Sequence, residues 1–344
     1  MVARESFISR EQSQLPLFVG IDVGGTNIKM GLVDDAGRTL GFRAVPTDSP
    51  RGPADAVKRM ASAVKDLLQE VGAEAADVGR VGLATPGPLD LNEGILLTPG
   101  NLPEWWNYPI RQQLTDACGL PVRYANDANA AAYGEYWRGA GAEYHSMVLL
   151  TLGTGIGGGI IVGDMLIEGV HGCGGECGHI LIDPQASAAR DSLGKTGSLE
   201  AYCGAYAVVR RAEEALGLGR ESKLREHTAT GEAITPLAIS QAAEAGDELA
   251  REVVLQTASY LAVGIVTLIH TIDPDSVVLG GAMTFGGTGH PLGEEFLTRI
   301  RDDVRPRLLP SLGDSLQIGF AQLGGDAGYM GAAGLARLEQ SQQK

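Results

Sequence analysis

Two stretches of this 344-residue sequence decide its fold: LFVGIDVGGTNIKMGLVDDAGRTLGFRAV (17–45) and SMVLLTLGTGIGGGIIVGDMLIEG (146–169). Each reads as an apolar run, a glycine turn, a second apolar run and an acidic turn, a pattern that predicts antiparallel β-strands. The two stretches recur at a spacing of about 130 residues, far longer than the period of a solenoid repeat. We therefore expect an internal duplication, with two similar α/β domains that face a cleft.

The segments around these stretches predict the domain organisation. A short strand within 77–90 ends in a Gly/Pro loop, and the stretch 121–137 reads as a strand, the pair Asn126-Asp127 and an alanine-rich helix. Loops at strand ends are where α/β folds place ligands. The units that we expect are an N-terminal arm (1–16), a small α/β domain (17–135), a larger α/β domain (136–325) and a C-terminal helix at about 326–344 that completes the small domain.

Charge and composition exclude one class of partner. The chain has 27 basic and 42 acidic residues, a net charge of -15, and no run of Lys or Arg that could follow a phosphate backbone. Nucleic acid is therefore not an expected partner. Glycine accounts for 49 residues and gathers in turns beside apolar runs, which favours close approach of the backbone to a ligand.

Cysteine usage and hydropathy predict a cytoplasmic protein. The four cysteines lack the dense spacing of a disulfide framework, so we expect reduced thiols. Residues 1–16 are polar, lack the apolar core of a secretory signal and are expected to form a flexible arm. The apolar stretch 253–272 is interrupted by polar residues such as Gln256 and His270, which favours a buried helix over a membrane span.

The glycine turns are candidate phosphate sites. Glycines between strands expose backbone N–H groups and let phosphate oxygens approach without a Cβ in the way. A plain hairpin turn needs few glycines, so the run LGTGIGGG (152–159) is the stronger of the two signals. The residues concerned are Gly24, Gly25 and Thr26 in the first turn, and Gly153, Thr154 and Gly155 in the second.

Two aspartates have both a structural and a functional interpretation. Asp22 ends a strand just before the first glycine turn, where a carboxylate suits Mg²⁺ beside phosphates; the alternative is a turn-forming side chain. Asp127 begins a helix, so it could be a plain N-cap. Polar residues flanked by Gly or Pro in GLATPGPLD (82–90), GNLPEWW (100–106) and GGECGHI (174–180) instead favour a polar ligand, such as a carbohydrate.

The tripeptide Gly194-Lys195-Thr196 matches the end of a nucleotide-binding P-loop. The full pattern needs a further glycine five positions before Gly194, where this chain has Ala189. We therefore place the nucleotide elsewhere.

Nine pieces of sequence in one order carry a resemblance to a known family. They are GIDVGGTNIKMGLVD, GLATPGPLD, GNLPEWW, ANDANAAAYGE, LGTGIGGGII, GVHGCGGECGHI, GSLE, DPDSVVLGG and LGGDAGYMGAAGLA. From Phe18 to Ala336 the chain resembles the ROK family (repressors, open reading frames and sugar kinases), in its glucokinase branch. The resemblance implies the two-domain actin-like ATPase fold, which is ribonuclease H-like. It also implies ATP-dependent phosphorylation of the 6-hydroxyl of a hexose, with glucose as the leading substrate.

The resemblance implies roles for individual residues. Asp127 matches the general base that receives the proton of the sugar 6-hydroxyl. The positions that match sugar ligands are Gly87, Asn101, Asn126, Asp127, Glu176, His179 and Glu200. The positions that match the ATP site are Gly24, Gly25, Thr26, Asn27, Gly153, Thr154, Gly155, Gly280 and Gly281. The expected cofactors are ATP and Mg²⁺, with Asp22 as the candidate magnesium residue, and the expected assembly is a homodimer.

One motif departs from the family pattern. Many ROK proteins carry Cys-x-Cys-Gly-x-x-Gly-Cys-Leu-Glu, in which three thiolates and a preceding histidine bind a structural zinc. Here Asp191, Leu193 and Ser198 stand at the cysteine positions, and these side chains cannot form the closed thiolate site that structural zinc favours. We expect no structural zinc, a loop held by packing and hydrogen bonds, and a His179 that is free to bind sugar. Other possible zinc ligands, with a spacing unlike a zinc knuckle, are His171, Cys173, Cys177 and Cys203.

Other functions stay open at this point. A ROK transcriptional repressor would carry an added helix-turn-helix domain, for which residues 1–16 are too few, so we expect none. A sugar-binding protein without turnover is disfavoured by the presence of Asp127 and both glycine turns. Among kinases, N-acetylmannosamine, fructose or mannose could replace glucose, because one substituent on a sugar is a matter of pocket shape. Polyphosphate could likewise replace ATP as the donor.

Overall fold

The computed structural model describes residues 7–313 and 315–342, and it contains two five-stranded sheets and a short two-stranded ribbon. The strands are Leu17–Val23 (β1), Asn27–Val33 (β2), Thr39–Pro46 (β3), Val78–Thr85 (β4), Leu89–Asp90 (β5), Ile95–Leu96 (β6), Val122–Asn126 (β7), Met147–Leu152 (β8), Ile156–Val162 (β9), Met165–Leu166 (β10), Ser276–Gly281 (β11) and Gln317–Phe320 (β12). The helices are Pro53–Val71 (α1), Ile110–Cys118 (α2), Asp127–Arg138 (α3), Leu199–Cys203 (α4), Ala205–Gly217 (α5), Arg225–Thr230 (α6), Pro236–Glu244 (α7), Glu248–Ile272 (α8), Pro291–Val304 (α9) and Ala327–Gln342 (α10).

The two large sheets share one topology. The first has the strand order β3-β2-β1-β4-β7, and the second has the order β10-β9-β8-β11-β12. In each sheet three strands form an antiparallel meander, and two further strands add in parallel beside the first strand of that meander. The same order and directions in both halves agree with the internal duplication predicted from the glycine turns.

The central strands explain the apolar runs of the sequence. Strands β1 and β8 lie in the middle of their sheets and are buried along almost their whole length. A strand covered on both faces needs apolar residues at successive positions, so it reads as a run without polar alternation. Parallel pairing of β1, β4 and β7 also brings the carboxyl ends of these strands to one edge of the first sheet.

Helix α8 is the one helix among the described residues that is long and apolar enough to cross a membrane. Its buried side chains extend from Leu249 to Ile269, and it packs against α7 and α9 in the core of the second half. The buried helix predicted for residues 253–272 is therefore confirmed.

Helices α3 and α10 connect the two halves. Each follows the last strand of one sheet and packs against the other sheet, α3 on β8 and β9, and α10 on β1 and β4. The two helices also pack on each other, where small residues such as Gly134 and Gly331 allow the backbones to approach closely. A core rich in alanine, with residues of both sheets, surrounds this contact. The domain boundary suggested by the sequence, between residues 135 and 136, falls inside α3.

The described part of the N-terminal arm contacts the first sheet. The backbone N–H of Ile8 donates to the carbonyl of Thr39 at 3.0 Å, and the N–H of Gln14 donates to the Asp34 carboxylate at 3.1 Å. Residues 1–6 lie outside the described residues, so the flexibility of the arm stays a prediction.

The contact between α3 and α10 leads to a stability prediction for Gly331→Ala. A Cβ at Gly331 would overlap the carbonyl oxygen of Ala130, so the helices must separate. We expect a loss of about 1–3 kcal/mol in the free energy of unfolding, as for an overpacked core. The matched control is Gly217→Ala at the end of α5, where a Cβ meets nothing within 4 Å. This control should be neutral or stabilising by about 0.5–1 kcal/mol, and chemical denaturation of both variants would show whether the contact is as tight as described.

Candidate active site

The carboxyl edge of the first sheet gathers several of the residues selected from the sequence. Asp22 near the end of β1 is level with Ala84 of β4, and Thr85 of β4 is level with Asn126 of β7. Gly87 follows β4, and a Cβ at this glycine would lie 3.5 Å from Nδ2 of Asn126. The sheet register therefore places Asp22, Gly87, Asn126 and Asp127 at one edge.

The start of α3 assigns different tasks to Asn126 and Asp127. Oδ1 of Asn126 accepts hydrogen bonds from the backbone N–H groups of Ala128 and Asn129 at 2.9 and 3.1 Å, so Asn126 is the N-cap. The interpretation of Asp127 as the N-cap is wrong. Asp127 is the first helical residue, and its Oδ1 accepts from the N–H of Ala128 at 2.8 Å. This leaves Oδ2 of Asp127 for another partner.

Both aspartates at this edge hold their protons more tightly than free aspartate. Burial raises the pKa of Asp127, and the negative charge of Glu176 raises it further. Burial and the nearby Asp127 carboxylate raise the pKa of Asp22 to about 6, against the opposing effect of Lys29. Carboxylates in such surroundings favour a proton or a cation over free negative charge.

The first glycine turn joins β1 to β2 and presents exposed backbone. Gly25, Thr26 and Asn27 are exposed, and the turn is closed by the N–H of Gly24, which donates to the carbonyl of Asn27 at 3.0 Å. Asn101 is a neighbour of this turn, because its Nδ2 lies 3.7 Å from the position of a Cβ on Gly25. The structure therefore brings a predicted sugar residue next to a predicted phosphate turn.

The second glycine turn joins β8 to β9 and is held by hydrogen bonds from the start of α5. Its carbonyls at Gly153 and Thr154 accept from the N–H of Ala205, the first residue of α5, at 3.0 and 3.2 Å. Gly281 at the end of β11 is level with Leu152, and it requires glycine because its φ is +90° and a Cβ would overlap the Leu152 carbonyl. Gly280 and Gly281, which match the adenosine side of the ATP site in the family resemblance, thus lie beside this turn.

Glu200 is buried under the second glycine turn. Its Oε2 accepts from the backbone N–H of Ile156 at 3.0 Å, and its Oε1 accepts from Ser192 Oγ at 2.5 Å and Tyr206 Oη at 3.4 Å. The residue is 6% exposed. In this structure Glu200 supports the turn at Gly155, and its contact with a sugar stays a prediction.

Glu176 and His179 are exposed and lie on one segment after β10, where His179 ends the short 3-10 helix Cys177–His179. Nδ2 of Asn129, in the first turn of α3, donates to the carbonyl of Gly174 at 3.4 Å, so this segment lies against the start of α3. The negative charge of Glu176 also raises the pKa of Asp127. The Nδ1 atom of His179 lies 3.3 Å from Oδ2 of Asp191, whose side chain is buried. The segment with Glu176 and His179 therefore lies between the site of Asp22 and Asp127 and the loop that contains Asp191.

The family assignment comes from comparison with known proteins. The sequence pattern described as the ROK family matches residues 18–339. The chain belongs to the ROK family. It is 34% identical over 324 residues to a glucokinase of Halalkalibacterium halodurans, covering 94% of this chain and 96% of that protein.

Solved ROK structures share the fold. A ROK hexokinase from Thermus thermophilus matches with a TM-score of 0.80 and 33% identity, covering 95% of this chain and 99% of that one. A ROK glucokinase from Streptomyces griseus, in complex with glucose and AMPPNP, matches with a TM-score of 0.72 and 33% identity, covering 94% and 99%. The two-domain actin-like ATPase fold predicted for this ROK protein is confirmed.

In this ROK protein the tripeptide Gly194-Lys195-Thr196 is part of a loop built around a carboxylate. The backbone N–H groups of Leu193 and Lys195 donate to Oδ1 of Asp191 at 3.0 and 2.8 Å, so these groups are not presented to a phosphate. Within residues 7–313 and 315–342, no three His, Cys, Asp or Glu side chains are grouped to hold a metal ion. The alternative zinc ligands of the sequence, His171 and the three nearby cysteines, are therefore not brought together among these residues.

Two residues of the site were missed from the sequence. Ser192 and Tyr206 fix the Glu200 carboxylate, yet neither belongs to a recognised ROK motif position. No local pattern identifies them, because their contacts depend on how the loop folds over α4. A serine beside Asp191 was the one available hint.

Proposed function

We propose that this ROK protein is an ATP-dependent hexose kinase, a glucokinase that transfers the γ-phosphate of ATP to the 6-hydroxyl of glucose. One observation carries the proposal. The carboxylate of Asp127, with one oxygen tied to its own helix, lies at the same sheet edge as Asp22 and the first glycine turn. The relatives named above, a glucokinase and a hexokinase, support the same activity.

Asp127 serves as the general base in this reaction. Its carboxylate accepts the proton of the sugar 6-hydroxyl as that oxygen forms a bond to the γ-phosphorus. The bond between the γ-phosphorus and its bridging oxygen breaks, and ADP leaves with the electron pair. Burial raises the pKa of Asp127. A general base works best when its pKa lies near the operating pH, so this shift favours proton transfer from the sugar hydroxyl.

The remaining residues bind and orient the two substrates. The glycine turns offer backbone N–H groups to the phosphates without a Cβ in the way, and β11 ends at the adenosine side. Phosphoryl transfer depends mainly on such positioning and on charge neutralisation. The proposed phosphate and adenosine residues are Gly24, Gly25, Thr26, Asn27, Gly153, Thr154, Gly155, Gly280 and Gly281. The proposed sugar residues are Gly87, Asn101, Asn126, Glu176, His179 and Glu200.

Magnesium fits the residues at this edge. Asp22 and Asp127 are neighbouring carboxylates whose repulsion contributes to the raised pKa of Asp22, and hard oxygen ligands are those that Mg²⁺ prefers. We assign Asp22 as the residue that would hold it. When bound, the ion neutralises charge on the phosphates of ATP.

We also propose a cytoplasmic location, a place in carbohydrate metabolism at the first step of glycolysis, and a homodimeric assembly. The free cysteines support the location, and the glucokinase relative supports the metabolic role. The dimer rests on the family resemblance alone.

A panel of sugars and donors tests the proposed function. We expect ADP release that requires both the protein and a hexose, with the highest kcat/KM for glucose among glucose, mannose, fructose and N-acetylmannosamine. ATP is expected to exceed polyphosphate as the donor. Another sugar or donor at the top of the panel would correct the substrate, and a folded protein that turns over none of them would reject the kinase.

A further inference from the structure

We propose that Asp191 is a positioning residue that orients the His179 imidazole, so that Nε2 accepts a hydrogen bond from a sugar hydroxyl. The inference rests on the proposed function, because the ligand of His179 is the hexose of that reaction. Asp191 itself touches no substrate, and its effect passes through the histidine.

The Asp191 carboxylate is fixed by its own loop. Oδ1 accepts from the backbone N–H groups of Leu193 and Lys195 at 3.0 and 2.8 Å, and Oδ2 accepts from Ser198 Oγ at 2.9 Å. The side chain has no exposed surface. Three donors within seven residues therefore set the place of this carboxylate before the histidine is considered.

The fixed carboxylate selects one tautomer of His179. Nδ1 of His179 lies 3.3 Å from Oδ2 of Asp191. Although burial opposes it, the hydrogen bonds from Lys195 and Ser198 keep the pKa of Asp191 below the usual range, so the group is a carboxylate with no proton to donate. Nδ1 must then carry the hydrogen and donate, and in a neutral imidazole this leaves Nε2 as an acceptor.

The acceptor nitrogen is available to a ligand. The His179 side chain is 34% exposed, and its Nε2 makes no hydrogen bond to any group in the part of the chain that the structure describes. A hydroxyl group donates and accepts, so an unprotonated Nε2 can take a hydroxyl hydrogen. Glu176, on the same segment, is close enough to Asp127 for its charge to affect that carboxyl. The segment that carries His179 therefore lies near the proposed base.

The Asp191→Asn variant changes the hydrogen bond to His179 and keeps the hydrogen bonds that support the loop. The asparagine Oδ1 can still accept from Leu193 and Lys195, so the loop keeps its shape. Its amide Nδ2 is a donor and faces Nδ1 of His179, which must now accept. The imidazole is then driven to the tautomer with hydrogen on Nε2, which cannot accept from the sugar.

Nitrogen NMR of the histidine rings reads the tautomer directly and needs no activity. At a pH where the ring is neutral, we expect His179 of the wild-type protein to carry its hydrogen on Nδ1, and Asp191→Asn to move it to Nε2. His179→Gln identifies the resonance. A wild-type ring with hydrogen on Nε2 would overturn the inference without any variant, as would one stoichiometric zinc per chain by elemental analysis.

Kinetics measure the consequence for the sugar. Partners that orient a metal-binding imidazole typically contribute about 10–100-fold, and by analogy we expect Asp191→Asn to raise the sugar KM by about tenfold or more. The KM for ATP should stay near the wild-type value, and kcat should fall less than the sugar KM rises. The matched control is Asp183→Asn in the same region, whose carboxylate accepts from Tyr202 Oη at 2.5 Å and has no bond to His179.

A double variant decides whether the effect passes through the histidine. His179→Gln with Asp191→Asn should be no worse than His179→Gln alone, because the two residues act as one unit. Full additivity, or a sugar KM in Asp191→Asn equal to that of the Asp183→Asn control, would contradict the inference alone. Absence of wild-type turnover with every sugar would contradict the proposed function instead, and the NMR result would still report on Asp191.

Discussion

The Asp127→Asn variant is expected to lose a factor of about 10²–10⁴ in kcat, the contribution typical of a general base, with little change in the sugar KM. Asparagine has the same shape, and its carbonyl oxygen can still accept from the N–H of Ala128, as Oδ1 does now at 2.8 Å. It cannot take a proton from the sugar hydroxyl. The loss should therefore appear in turnover and not in binding.

The same variant is expected to be at least as stable as the wild-type protein at neutral pH. The folded state raises the pKa of Asp127, chiefly by burial, so it binds this proton more tightly than the unfolded chain does. Stability then falls as pH rises from the unfolded pKa to the folded pKa, and the ionised group remains destabilising above both. Asparagine cannot ionise, so the substitution removes that penalty.

Coupled ADP release and thermal unfolding test both halves of this prediction. Asp116→Asn on the exposed face of α2 is the matched control and should change neither property. A lower kcat together with equal or higher stability indicates a carboxylate that is needed for catalysis although it lowers the free energy of unfolding. Near wild-type turnover would reject Asp127 as the base, and a large loss of stability would assign the residue a structural role.

Local patterns account for the parts of the structure that the sequence anticipated. The two hairpins around the glycine turns follow from apolar runs bounded by Gly and Asp, because such signals act over a few neighbouring residues. The repeat of this plan implied two equivalent sheets, and both have the same strand order. Asp127 at a strand-to-helix junction was also visible, since strand ends in α/β folds carry the site.

Contacts between distant segments account for what was missed. The sequence suggested Asp127 as the N-cap of α3, and the structure gives that position to Asn126, a residue type that suits it equally well. Glu200 matches a sugar-binding glutamate by its motif. In the structure, however, its carboxylate oxygens accept hydrogen bonds from the N–H of Ile156 and the hydroxyl of Ser192. A carboxylate accepts hydrogen bonds from whichever donors the fold brings near it. The spacing of residues in the sequence does not show which donors these are.

Glu135 is the clearest case of such a long-range role, and it carries the largest stability prediction. Its side chain is fully buried, and its two oxygens accept from the backbone N–H groups of Ala140, Gln322 and Leu323 at 2.9, 3.0 and 2.7 Å. Residue 140 lies where the chain passes from α3 to the second sheet, and residues 322 and 323 lie where it returns to α10. One carboxylate therefore holds both connections between the halves.

Glu135→Leu is expected to lower the free energy of unfolding by about 3 kcal/mol, because three partly buried N–H groups lose their acceptor at once. Each such loss costs about 1 kcal/mol, the lower end of the range for a fully buried group. Glu135→Gln keeps one carbonyl oxygen and should lose less. Glu143→Leu, exposed on the same connection, is the control and should stay within about 0.5 kcal/mol of wild type.

Chemical denaturation measures the change in the free energy of unfolding, and hydrogen exchange shows which backbone amides lose protection. In Glu135→Gln, the amides of Ala140, Gln322 and Leu323 should exchange faster than in wild type, while central strands such as β8 keep their protection. Lobe closure over substrates would bend the chain at these two connections. A Glu135→Leu variant as stable as the Glu143→Leu control would mean that the three N–H groups find other acceptors, and that the two connections are not held together by Glu135.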